Sequence, residues 1–148
     1  MITRVRFGLL FLASLLVSCH DRARGSARVF QWSAPNEHET LASFFVSGDS
    51  AALRGLLHAD FVVQPPEPDS ALQGTAAVDY LVRLAASTSV EDSRFAPMAT
   101  APEGPFAFEQ GVWYLRTGLR TFRSPYTLRW RNTPEGWKVV LWGWGRFR

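Results

Sequence analysis

Thr121-Phe122-Arg123-Ser124-Pro125-Tyr126-Thr127-Leu128-Arg129-Trp130-Arg131 is the stretch that decides how this chain folds. Phe122, Tyr126, Leu128 and Trp130 share one parity, while Arg123, Thr127, Arg129 and Arg131 share the other. Successive side chains of a strand point to opposite faces, so the pattern predicts a strand with one buried apolar face and one cationic face. On either side the same reading predicts strands over 94–101, 106–116, 119–131 and 137–147. They are separated by Pro102-Glu103-Gly104-Pro105, Thr117-Gly118 and Thr133-Pro134-Glu135-Gly136. Each break has turn chemistry suited to a hairpin, which makes the last third of the chain an antiparallel meander. Strands 106–116 and 137–147 carry large apolar groups on both parities: Trp113, Leu115, Val140, Trp142 and Trp144 against Val112, Tyr114, Val139 and Leu141. A sheet apolar on both sides needs two covers. Helices supply one, and a second copy of the chain packed sheet to sheet could supply the other.

Upstream of the meander the period changes to that of helices. Ala34-Pro35-Asn36-Glu37 predicts a helix start, with proline in the first turn and an acid near the positive end of the dipole. Leu41, Phe44 and Phe45 form its stripe, Gly48-Asp49-Ser50 ends it and caps a second helix, and Leu53, Leu56 and Leu57 recur at helical spacing. Phe61-Val62-Val63-Gln64 is a strand stopped by Pro65-Pro66. Gly74-Thr75 then opens a third helix with Val78, Leu81, Val82 and Ala85 on one face. Three helices with one early strand, followed by a meander, is an α+β order in which helices pack on a curved, mostly antiparallel sheet.

The N-terminus carries a different kind of signal. Arg4 and Arg6 precede an apolar run from Phe7 to Leu16, and Leu16-Val17-Ser18-Cys19 follows. The run is shorter than the roughly 20 apolar residues needed to span a bilayer, and its layout is that of an export signal. The tetrapeptide resembles the lipidation signal of bacterial lipoproteins. That resemblance implies cleavage after residue 18, thioether-linked diacylglycerol on Cys19 and acylation of its new amino group. It predicts a chain divided into a signal peptide (1–18), a polar tether (19–33) and one domain (34–148), held in the cell envelope by palmitate-like chains. His20, rather than aspartate, after Cys19 points to the outer membrane over the inner.

Of the 148 residues, 130 remain after removal of the signal, enough for one core-forming domain. Charge is uneven along the chain: residues 19–104 net −5 and residues 105–148 net +6. Five of the six Trp also lie in the basic part. Arginine interleaved with aromatics serves single-stranded nucleic-acid binding in some proteins, but guanidinium stacked on an exposed ring explains the same pattern. No nucleic-acid partner is expected for an exported chain. Cys19 is the only cysteine, so no disulfide within the chain is expected.

Phe44-Phe45-Val46-Ser47-Gly48-Asp49-Ser50-Ala51-Ala52-Leu53, His58-Ala59-Asp60-Phe61-Val62-Val63, Gly74-Thr75-Ala76-Ala77-Val78 and Gly136-Trp137-Lys138-Val139 together resemble the NTF2-like superfamily, in particular its SnoaL-like and DUF4440-like branch. The resemblance implies a cone in which a curved sheet wraps the first helix and leaves a pocket at the open end, often in dimers. Its ketosteroid-isomerase members use a carboxylate on the first strand and acidic or phenolic oxyanion donors. Here the matching positions are Pro65 and Leu41, so the resemblance does not extend to that chemistry.

His38 lies near the inward face of the first helix, three residues before Leu41, where it could take part in acid–base chemistry or bond a backbone carbonyl. His58-Ala59-Asp60 brings an imidazole and a carboxylate close together. Asp60 is the other candidate base, although its place at a helix end argues instead for capping and solvent contact. Tyr80, Trp113, Tyr126, Trp130 and Trp142 are the aromatics expected to line an apolar ligand site or fill the core. Glu109 and Gln110 are the remaining polar candidates, and strand parity allows only one of them to point inward. Three scattered histidines offer no spaced ligand set, so neither metal nor cofactor is expected. The reading these features favour is a non-catalytic, lipid-anchored binder of a small apolar ligand or protein partner. The alternatives are a SnoaL-like isomerase or hydrolase using His38 or Asp60, and an envelope assembly protein using the arginine-rich sheet face.

Overall fold

A computed structural model describes residues 35–67 and 69–148. The signal segment, Cys19 and the tether lie outside the described residues. Helices α1 (Pro35–Ser47) and α2 (Ser50–Leu56) are followed by strands β1 (Leu57–Gln64) and β2 (Leu72–Gln73) and helix α3 (Thr75–Ser87). The meander comprises β3 (Asp92–Glu103), β4 (Phe106–Thr117), β5 (Arg120–Thr133) and β6 (Gly136–Trp144). Together the strands form one sheet in the order β2-β1-β6-β5-β4-β3. Among the described residues only the β1–β6 pairing is parallel.

The local signals act as the physical chemistry requires. The amide of Gly48, at φ 70°, bonds the Phe44 carbonyl at 2.8 Å and closes α1. Oδ1 of Asp49 accepts from the amides of Ala51 and Ala52, each at 3.0 Å, and so caps α2. Leu41, Phe44 and Phe45 of α1, Leu53 and Leu56 of α2 and Ala77, Val78 and Leu81 of α3 are buried. They meet Ala107, Trp113 and Leu115 of β4, Tyr126, Leu128 and Trp130 of β5, and Trp142 and Trp144 of β6 in one core.

Several boundaries differ from expectation. The early strand begins at Leu57 rather than Phe61, because its first residues already lie beside Val139 of β6. β2 pairs only Gln73 and Leu72 with Val62 and Val63, too short a stretch for periodicity to reveal. β3 runs through Pro97 and Pro102 instead of stopping at Ala101. It is an edge strand, where a missing amide hydrogen costs no ladder bond. β6 ends at Trp144 rather than residue 147, and the chain returns so that Arg148 pairs with Arg123. Val139 and Trp142, placed on opposite faces by parity, are both wholly buried. A register shift opposite Arg129 and Trp130 takes Val140 out of the alternation and turns Val139 inward.

Candidate functional site

The inward faces of β4 and β5 meet α1 at a polar cluster inside an apolar shell. Parity resolves the choice between Glu109 and Gln110 in favour of Glu109, which is 0% exposed while Gln110 is exposed. Its Oε1 lies 2.7 Å from Nε2 of His38 and 2.6 Å from the hydroxyl of Tyr126. Burial first, then the hydrogen bond and charge of Glu109, push the Tyr126 phenol well above its ordinary range, so it stays protonated and donates. A carboxylate oxygen that accepts from Tyr126 and lies this close to Nε2 accepts there as well. The network therefore assigns a hydrogen to Nε2 of His38, and in the neutral ring Nδ1 is the accepting nitrogen.

Neighbouring residues fix this geometry. Tyr126 stands opposite Gly111 in the β4–β5 register, and its hydroxyl reaches along the strand to Glu109. A Cβ at residue 111 would come within 2.8 Å of Tyr126 Cε1 and 2.9 Å of Pro97 Cα, as well as against the Ala96 carbonyl oxygen. Only glycine permits that approach. The β3 irregularity between Pro97 and Ala99 brings this backbone close and leaves Met98 79% exposed. His38, whose side chain is 15% exposed, is the most exposed member of the cluster. Its ring stacks on Phe95 at 6.2 Å and meets Trp130 edge-on at 5.5 Å.

The other expected site residues are dispersed. Trp113, Trp130 and Trp142 are wholly buried. Trp113 and Trp142 pack on each other at 5.1 Å and on Phe45 and Phe95. The Trp142 indole N–H is buried with no acceptor among the described residues. Tyr80 stands apart on α3 and donates to Asp69 at 3.1 Å. Burial, then Asp69, raises its phenol. Asp60 is on the surface of β1, its amide bonded to Nδ1 of His58 at 3.1 Å, while Nε2 of His58 is 3.2 Å from Nη1 of Arg131. The structure thus separates Asp60 from His38 and brings His38 to Glu109 instead. Among the described residues no group of three His, Cys, Asp or Glu is arranged to hold a metal ion. A concavity of about 950 Å³ is lined by Gln64, Met98, Phe108, Gln110 and Leu141 and reaches Tyr126 and Trp144.

Three helices against a six-stranded, mostly antiparallel sheet is the architecture of the NTF2-like proteins, and solved structures of that class match it. No family model and no curated protein matches the chain. An NTF2-like protein of unknown function from Silicibacter pomeroyi DSS-3 is 16% identical at a TM-score of 0.59, over 76% of this chain and 91% of that one. An NTF2-like superfamily protein from Salmonella enterica serovar Typhimurium LT2 is 13% identical at 0.58, over 74% and 84%. A putative ketosteroid isomerase from Parabacteroides distasonis ATCC 8503 is 15% identical at 0.53, over 70% and 79%. At these identities the likeness is one of fold.

Proposed function

We propose that this chain is a lipid-anchored envelope protein whose NTF2-like domain binds a small, largely apolar ligand bearing one hydrogen-bond donor. The observation that carries the reading is the His38–Glu109–Tyr126 cluster. Glu109 and Tyr126 are buried, while His38 is partly exposed and packs between Phe95 and Trp130. A partly exposed imidazole between two aromatic rings favours a flat apolar body that donates to Nδ1 of the neutral ring. The anchor is motivated by Leu16-Val17-Ser18-Cys19 after an apolar run. Calorimetric titration with 2-naphthol and with 2-methoxynaphthalene tests the ligand reading. The first should bind more tightly, and His38→Phe should weaken it by about tenfold while leaving the ether unaffected. Equal binding of both compounds, or no effect of His38→Phe, would remove it.

A second reading rests on the same 2.7 Å contact. A carboxylate that holds Nε2–H orients the imidazole, and the other nitrogen of the neutral ring, Nδ1, then takes a proton from a bound substrate. In that case His38→Gln removes turnover and Glu109→Gln shifts the pH–rate profile. If the domain binds its ligand and neither change alters any conversion of it, the protein is a binder alone.

A further inference from the structure

The β4–β5 hairpin ends in an apolar tip flanked by Arg116 and Arg120, with Glu91 paired to Arg116 and Asp92 opposite it in the β3–β4 register, and none of this is used by the ligand site. Leu119, in the turn between the strands, is 106% exposed, the most exposed large apolar side chain described. Arg116 and Arg120 flank it in sequence, and both are exposed. Two residue pairs beyond Arg116–Thr121, Arg94, Tyr114 and Arg123 stand side by side on the outer face of β3, β4 and β5. Arg148 continues the rung, since its amide and carbonyl pair with those of Arg123 at 3.0 and 3.1 Å. Adjacent strands are about 4.8 Å apart, so four residues spread cationic charge over roughly 15 Å. The Arg94 guanidinium lies 4.8 Å from the centre of the Tyr114 ring. Arg116 is paired with Glu91 at 2.7 Å, but Arg94, Arg123 and Arg148 have no carboxylate partner among the described residues.

A solitary exposed leucine is ordinary. A leucine at the tip of a hairpin, with three guanidiniums that lack a carboxylate partner set three residue pairs behind the closing Thr117–Arg120 pair, is the arrangement an anionic bilayer surface selects. The apolar tip enters the acyl boundary while arginines stay at the level of the phosphates, their stems in the apolar layer and their heads among the headgroups. We infer that the Leu119 hairpin tip docks the domain against anionic phospholipid, with Arg94, Arg123 and Arg148 on the headgroup phosphates. The contact is weak when taken alone. A lipid on Cys19, as proposed above, would supply the high local concentration that makes such a contact persistent. The docking surface itself does not depend on that modification.

The test uses the full chain with Cys19→Ser, so that no acyl chain is attached, and Leu119→Cys carrying an environment-sensitive fluorophore. Vesicles of phosphatidylcholine mixed with phosphatidylglycerol should shift the emission to the blue, and pure phosphatidylcholine should not. The same label at Val46→Cys, on α1, should not respond to either vesicle and so controls for insertion of the leader segment. Arg123→Gln and Arg94→Gln should each weaken the response about fivefold, and raised salt should weaken it further. With the label moved to Thr121→Cys, Leu119→Asp should cost about tenfold. Circular dichroism of each variant verifies the fold. An unshifted label on anionic vesicles, equal shifts on neutral vesicles, or equal shifts at Val46→Cys would each overturn the inference. Loss of the anchor would instead appear as an unmodified Cys19 in native material and leave these vesicle results unchanged.

Discussion

Removing Glu109 and Tyr126 separately and together measures whether the buried cluster is one interacting unit. Oε1 of Glu109 takes a hydroxyl at 2.6 Å and an imidazole N–H at 2.7 Å where solvent does not reach the carboxylate. A hydrogen bond to a charged acceptor contributes about 1.5–3 kcal/mol, so Tyr126→Phe should destabilise the fold by about 2 kcal/mol. Glu109→Leu removes the acceptor of two donors and leaves a buried hydroxyl and an imidazole behind. Its cost should be about 3–5 kcal/mol, as for other buried charged partners removed singly. Once Tyr126 is already phenylalanine, Glu109→Leu leaves only the imidazole unanswered. The double variant should therefore be more stable than the sum of the single losses predicts, with a coupling of about 2 kcal/mol. Urea unfolding followed by tryptophan fluorescence gives all four stabilities, since Trp113 and Trp130 report on this part of the core. Additivity within about 0.5 kcal/mol would refute the reasoning, because the two side chains would then not share a stabilising bond.

Alkaline pH should weaken the fold in a way that depends on Tyr126. Its phenol is raised above the ordinary value of 10.0 in the folded chain, so above that pH the unfolded state loses a proton the native state keeps. The stabilising term is complete below pH 10 and falls by up to about 1.4 kcal/mol per pH unit above it. Tyr126→Phe should flatten part of this slope in equilibrium unfolding, while the slope due to Tyr80 remains. Gly111→Ala should displace Pro97 or the Tyr126 ring and cost about 3 kcal/mol, read as a lowered urea midpoint; an unchanged midpoint would show that the β3 backbone yields freely. The native chain should begin at Cys19 and carry the mass of an acylated cysteine, and Cys19→Ser should abolish that mass increment in mass spectrometry. A second copy on the outer sheet face would cover Phe108 and Leu141. Sedimentation should then show a dimer that Phe108→Asp converts to monomer.

Much of the fold was legible along the chain because its determinants are local. Alternation over 121–131, the Asp49 cap and the Gly48 stop each act within a few residues, and the structure contains the three helices and the meander they imply. Where neighbours in space decide, the one-dimensional pattern was insufficient. Pro97 and Pro102 became tolerable only because β3 is an edge, and Val139 turned inward only because β6 shifts register against β5.

The candidate site divides in the same way. Sequence alone determined that His38 lies near the inner side of its helix and that no more than one of Glu109 and Gln110 could point inward. Tertiary structure decided that Glu109 is the one, that Tyr126 crosses above Gly111 to reach it, and that His38 meets a carboxylate 71 residues away rather than Asp60. A periodic pattern sets the face of an element, because that depends on the helix or strand repeat. Which two faces touch, and in which register, depends on how the whole core packs. No local spacing encodes the seating of α1 against β3, β4 and β5 that brings imidazole, carboxylate and phenol together.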